Sequence, residues 1–154
     1  LQGIEQLVQT YHHSIALVGA FYDSLVSSGQ IRAQLPRWQG RDLYAVYPVV
    51  GHAVYHAGDF MDEVGYFDVL APEHLYGFED NLISAKAAYM NRLTLAWEGW
   101  RIENIQRHSA IGNREVRDAH VESMRPLYNR RLAALGRDRA FYTGPDGNPT
   151  TRPL

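Results

Sequence analysis

His52, His56, Asp59 and Glu63 are the residues whose types and spacing point to chemistry, and they fall in the stretch 43–65, LYAVYPVVGHAVYHAGDFMDEVG. On a helix turning about 100° per residue, positions i, i+4, i+7 and i+11 lie within one narrow arc. Two imidazoles and two carboxylates on one helical face are a natural donor set for a metal ion. The expected ligands are His52, His56 and Asp59, completed by His12 or His120 from a neighbouring helix. The same wheel carries Val46, Val50, Val54, Ala57, Phe60, Met61 and Val64 on a separate apolar arc, centred roughly 120° away. The histidine stripe therefore equally fits a solvated face, with His56 and Asp59 as a local i, i+3 pair.

Other catalytic signatures are missing. No cysteine is present, which excludes disulfides, zinc–thiolate sites and thiol catalysis. A di-iron bundle needs Glu-x-x-His on two helices, and the chain contains no such motif. His52 is followed by Ala53, so the H-E-x-x-H zinc motif is absent. There is no G-x-S-x-G elbow, and the glycines form neither a P-loop nor a dinucleotide fingerprint.

Composition sets the outer bounds. The chain has 154 residues, 45% of them hydrophobic, which is enough for one domain with a sizeable core. The net charge of -2 argues against a nucleic-acid surface. No apolar run reaches the roughly 18 residues that span a bilayer. The chain starts at Leu1 rather than Met, which leaves room for an anchor or targeting segment ahead of a soluble domain. Lys86 is the sole lysine, and no Lys or Arg lies between Arg41 and Lys86, whereas Asp59, Asp62, Glu63, Asp68, Glu73, Glu79 and Asp80 do. The second half carries Arg125, Arg130, Arg131, Arg137 and Arg139, so the halves are expected to neutralise each other within or between subunits.

The elements that would position the stripe read as helices. Ile4, Leu7, Val8, Tyr11, Ile15, Val18, Tyr22 and Leu25 hold one apolar face, which predicts a helix over 3–27 ending near Gly29. On it, His13 points away from that face. A second helix is predicted over 43–64, with Asp42 as N-cap, a kink or restart at Pro48, and Gly65 as its stop. Residues 65–73 are expected to pack as an apolar loop, and a third helix to run from 73 to 108 along Leu82, Ala85, Tyr89, Leu93, Ala96 and Trp100. The fourth is predicted over 114–135, interrupted near Pro126, with His120 toward the interior. Trp38 is expected to cover one end of the core. The predicted fold is an all-α antiparallel bundle of about four helices in a single domain, 1–135, followed by an irregular tail, 136–154, docked on the bundle or a partner.

The expected function is a non-catalytic helical interaction or sensory domain that self-associates as a homo-oligomer or meets a protein partner, in one form as the soluble part of a membrane-anchored protein. Exposed aromatics (Trp38, Tyr66, Phe67, Trp97, Trp100) and the uneven charge support that reading. The alternative is a metal-binding protein or metal-dependent enzyme built on His52, His56 and Asp59. A third possibility is a ligand pocket walled by tyrosines such as Tyr11, Tyr22, Tyr44, Tyr47, Tyr55 and Tyr89.

Overall fold

The structure is a computed structural model that describes residues 2–11, 13–49, 53–65, 78–102 and 114–138. In chain order it contains α1 (Gln2–Thr10), β1 (Ile15–Phe21), a 3-10 turn (Asp23–Leu25), β2 (Ile31–Trp38), β3 (Arg41–Val46), β4 (Val54–His56), α2 (Gly58–Val64), α3 (Glu79–Tyr89), β5 (Leu93–Arg101) and α4 (Arg114–Asp138). The strands form one mixed sheet in the order β2-β3-β5-β1-β4. Strands β1 and β5 run parallel, and the other neighbours are antiparallel. The expected all-α bundle is overturned; the fold is α/β.

Local chemistry explains each correction. Of the predicted 3–27 helix, only the part within α1, up to Thr10, is α-helical. The chain then turns through His13, whose φ of 64° is left-handed, into IALVGAF, in which every residue is buried. A run covered on both faces has no period of its own, so it satisfies helical spacing and still makes a strand. The predicted 43–64 helix divides into β3, β4 and α2, and the Tyr47–Pro48 bond between β3 and β4 is cis. Asp42 caps no helix; it lies in β3, where its carboxylate accepts a hydrogen bond from Arg37 Nε at 2.7 Å. Gly65 does end α2, with φ 73° and its N–H donated to the Met61 carbonyl.

Within its described residues, 78–102, the predicted 73–108 helix is also two elements. Its helical part, α3, ends at Tyr89, and Asn91 adopts φ 57°, which asparagine tolerates better than most residues. Beyond it, β5 sends Leu95 and Trp97 to one side of the sheet and Thr94 and Ala96 to the other. In the last segment the predicted helix over 114–135 overlaps α4, which continues through Pro126 without ending there. The apolar residues of 66–73 and residues 139–154 of the predicted tail lie outside the described residues, while 136–138 continue α4.

Two cores lie on opposite faces of the sheet. On one, Ile4 and Leu7 of α1 pack against Ile15, Val18, Leu43, Leu95 and Trp97. The Trp97 ring occupies the space into which a Cβ at Gly3 or Gly99 would project, so both glycines give the indole room. Trp38 Nε1 donates to the Gly3 carbonyl at 3.1 Å, and Trp97 Nε1 to the Trp38 carbonyl at 3.3 Å. Trp97 is thus core rather than exposed aromatic surface, while Trp38 and Trp100 are half-buried against it. On the other face, Leu17, Phe21, Val46 and Ala96 meet Phe60 and Met61 of α2 and Ile83 and Ala87 of α3. Helix α4 lies on α3, with Tyr128 stacked on Phe78 at 4.5 Å between ring centroids and Tyr89 Oη donating to the Leu132 carbonyl at 3.3 Å. Each large side chain fully buried in these cores contributes about 1.5–3 kcal/mol.

Candidate functional site

The predicted stripe is distributed over two kinds of element. His56 closes β4 opposite Leu17 and is half-buried. Ala57 is extended, and Asp59 sits in the first turn of α2, so His56 and Asp59 do not share a helical face. Asp59 and Glu63 do share one, at i and i+4, and what they hold is an arginine. Arg92 Nη1 lies 2.9 Å from Asp59 Oδ2, and Nη2 lies 3.0 Å from Glu63 Oε2. His13 Nδ1 is 2.8 Å from the same Asp59 oxygen. His120 is half-buried on α4. Among the described residues no group of three or more His, Asp or Glu side chains could hold a metal ion. His52 and His12 lie outside the described residues.

Arg92 is placed by the turn that joins α3 to β5. Its backbone N–H donates to the Ala87 carbonyl at 2.9 Å, and its side chain is only 9% exposed. The guanidinium lies over the Phe60 ring, 5.7 Å from the centroid, so one face is apolar while the edge is charge-paired. Two charge-assisted contacts from one planar cation fix α2 against the start of β5. Burial pushes the Asp59 carboxyl up, but the hydrogen bonds from His13 and Arg92 and the Arg92 charge outweigh it and hold Asp59 below its usual range.

Beside this clamp, α2, α3 and α4 line a pocket of about 190 Å³ that is open to solvent, formed by Glu63, Val64, Lys86, Tyr89, Met90, Arg131 and Leu135. A cavity of about 150 Å³ accommodates benzene, so this one has room for a molecule of somewhat more than ring size. Lys86, the sole lysine, is buried on α3, and its Nζ donates to the Val64 carbonyl at 3.1 Å. That carbonyl belongs to the last turn of α2, where helix carbonyls lack intrahelical partners. Arg131 is exposed on α4, at the rim. Burial raises the Tyr89 phenol, and nearby Tyr128 raises it further, so the hydroxyl stays protonated and keeps donating to α4. Burial raises the Tyr47 and Tyr128 phenols as well.

Of the six tyrosines expected to wall a pocket, Tyr89 lines this cavity. Tyr44 instead stacks on Phe21, with ring centroids 5.8 Å apart, and Tyr11 is exposed. Reading the sequence missed Lys86, Arg92 and Arg131 as site residues. A signal for the first two was present: they are the first basic residues after the long acidic stretch that begins beyond Arg41. Lys86 also lies within SAKAA, a run of small residues typical of a buried helix face. Compared with protein-family models, curated proteins and solved structures, the chain matches none.

Proposed function

We propose that this chain is a non-catalytic sensory domain that holds a small molecule in the cavity between α2, α3 and α4 and transmits occupancy through α4. The observation that carries the reading is the cavity itself, whose walls come from three helices, one of them attached mainly through its neighbour. Helix α4 meets α3 and its N-terminal cap residue through the Tyr128–Phe78 stack, Arg125 over the Phe78 ring at 5.5 Å, and the Tyr89–Leu132 hydrogen bond. A ligand touching Lys86 or Met90 on one side and Arg131 or Leu135 on the other adds to those contacts. By mass action it stabilises the state in which α4 is docked.

The test is thermal melting against a library of small acids, amines, alcohols and amino acids, with wild type and Met90→Trp side by side. Compounds that raise the wild-type midpoint and fail on the filled cavity support the reading; a library without such a compound sinks it. Self-association is the accompanying proposal. It is supported by exposed Val116 and Ala119, which put apolar surface on the outer side of α4. Its measure is the mass by light scattering for wild type and Val116→Glu. Among the described residues no helix is long and apolar enough to cross a membrane.

A further inference from the structure

We infer that α4 is a detachable strap: it leaves α3 as a unit while the sheet, α1 and α3 stay folded, and in leaving it takes away one wall of the pocket. The inference rests on the sensory reading above and supplies its moving part. Among the described side chains of α4 only Met124 is buried. It belongs to a stripe with Val121, Tyr128, Leu132 and Leu135, at helical spacing, and those four are half-buried. A helix of 25 residues is thus seated on one shallow stripe. Shorter helices are set deeper. Helix α1, with nine residues, buries Ile4 and Leu7 completely, and α3, with eleven, buries Leu82, Ile83, Ala85 and Ala87.

Helices in proteins owe most of their stability to the apolar face they pack, so depth of burial ranks these elements by how readily each opens. The interior of α4 weakens it further. Pro126 has no N–H to give the Glu122 carbonyl one turn back, and its ring crowds that turn. The Tyr128–Phe78 stack and the Tyr89–Leu132 hydrogen bond, which seat the helix, both lie on the C-terminal side of the proline. Arg131 and Leu135, which α4 brings to the pocket, lie on that same side. With α4 in place Phe78 and Tyr89 are half-buried; its release leaves both rings to solvent.

Native-state amide exchange of the full chain, followed residue by residue by NMR, tests this without any ligand. Amides of α4 are expected to exchange about a hundredfold or more faster than those of β1 and β5, which exchange only when the whole domain unfolds. Trp97→Ala separates the two openings, because it weakens the core under α1 and leaves the seat of α4 alone. It should speed exchange in β1 and β5 and leave the α4 rates as they were. Ile15→Val, a milder loss in the same core, should give the same split, at about fivefold for β1 and β5, and serves if Trp97→Ala does not fold. Exchange in α4 that speeds up in step with β1 and β5 overturns the strap, since the helix then opens only with the domain. The two readings fail separately. Rates that rise together leave a small-molecule pocket with a fixed wall, whereas split rates with no compound bound leave the strap and remove its ligand.

Discussion

The two faces of the sheet are built from different chemistry. Under α1 the core is almost wholly apolar, and the indole N–H groups of Trp38 and Trp97 find backbone carbonyls. Under α2 and α3 the interior holds all four of the buried polar residues described: Ser84, Lys86, Arg92 and Thr94. Two of these serve the backbone, since Ser84 Oγ accepts from the Val49 N–H and Thr94 Oγ1 donates to the Val46 carbonyl. The other two are cations, each placed against α2. Burying a charge costs free energy unless it is paired, so a fold seeking stability alone would resemble the α1 face on both sides. The contrast is between an apolar core under α1 and an interior under α2 and α3 whose polar groups tie the backbone and α2 in place, and the proposed site lies on that second side.

The sharpest way to break this comparison is to damage the scaffold and watch the site. Trp97→Ala empties the space between α1 and the sheet, and should cost about 3–5 kcal/mol in denaturant unfolding. Ligand affinity of the fraction that remains folded should not change. If affinity falls with stability, the two faces are coupled and the division is wrong. On the other side, Arg92→Met leaves Asp59 and Glu63 facing each other without their cation. Their carboxylates are 34% and 46% exposed, so water relieves part of the loss. The expected cost is about 2 kcal/mol. A double-mutant cycle with Asp59→Asn should show clear coupling, since both changes break the same contact.

A smaller effect sharpens the scaffold side. Gly99→Ala adds one methyl group where the Trp97 ring lies, and overpacking of this kind costs about 1–3 kcal/mol. The same substitution at Gly58, whose Cβ would meet nothing within 4 Å, should be close to neutral. Equal melting midpoints for the two variants would mean that Trp97 is not seated as described.

How far these features could be read from the amino acids differs between the faces. In the α1 region the amphipathic start was legible, because Ile4, Leu7 and Val8 form one stripe on a real helix. The stripe then ran on into IALVGAF, where burial on both faces erased the period that distinguishes strand from helix. The wheel that grouped His52 with Glu63 assumed an unbroken helix, whereas the extended Ala57 separates His56 from Asp59. What survived is the i, i+4 pair Asp59 and Glu63. Its partner Arg92 lies 33 and 29 residues further on, so only tertiary structure brings them together. The acidic run without a basic residue pointed toward pairing with cations elsewhere, and Arg92 is one such cation.

Two titrations test the polar face more finely, and both signs follow from which state binds protons more readily. Asp59 is held low when folded, so its stabilising contribution is present above the ordinary carboxylate value of about 3.9. That contribution is lost as pH falls through the folded value. Asp59→Asn should therefore make the unfolding free energy less steep at the acid end.

The smallest expected effect belongs to His56. It stands on the same sheet face as its partner Leu17, toward α2 and α3. Burial lowers its pKa, and the charge of Asp80 on α3 opposes the shift without cancelling it. Above about pH 6.5 the imidazole is neutral in both states, and its contribution is at its maximum. As pH falls below that value the unfolded chain takes up the proton first, so stability declines until the folded value is passed and is flat beyond it. A ring-proton NMR titration should place the His56 midpoint below 6.5, and His56→Gln should remove the slope in that window. A midpoint above 6.5 would mean that Asp80 dominates over burial. The polar face would then be wetter than the contrast with the α1 side requires.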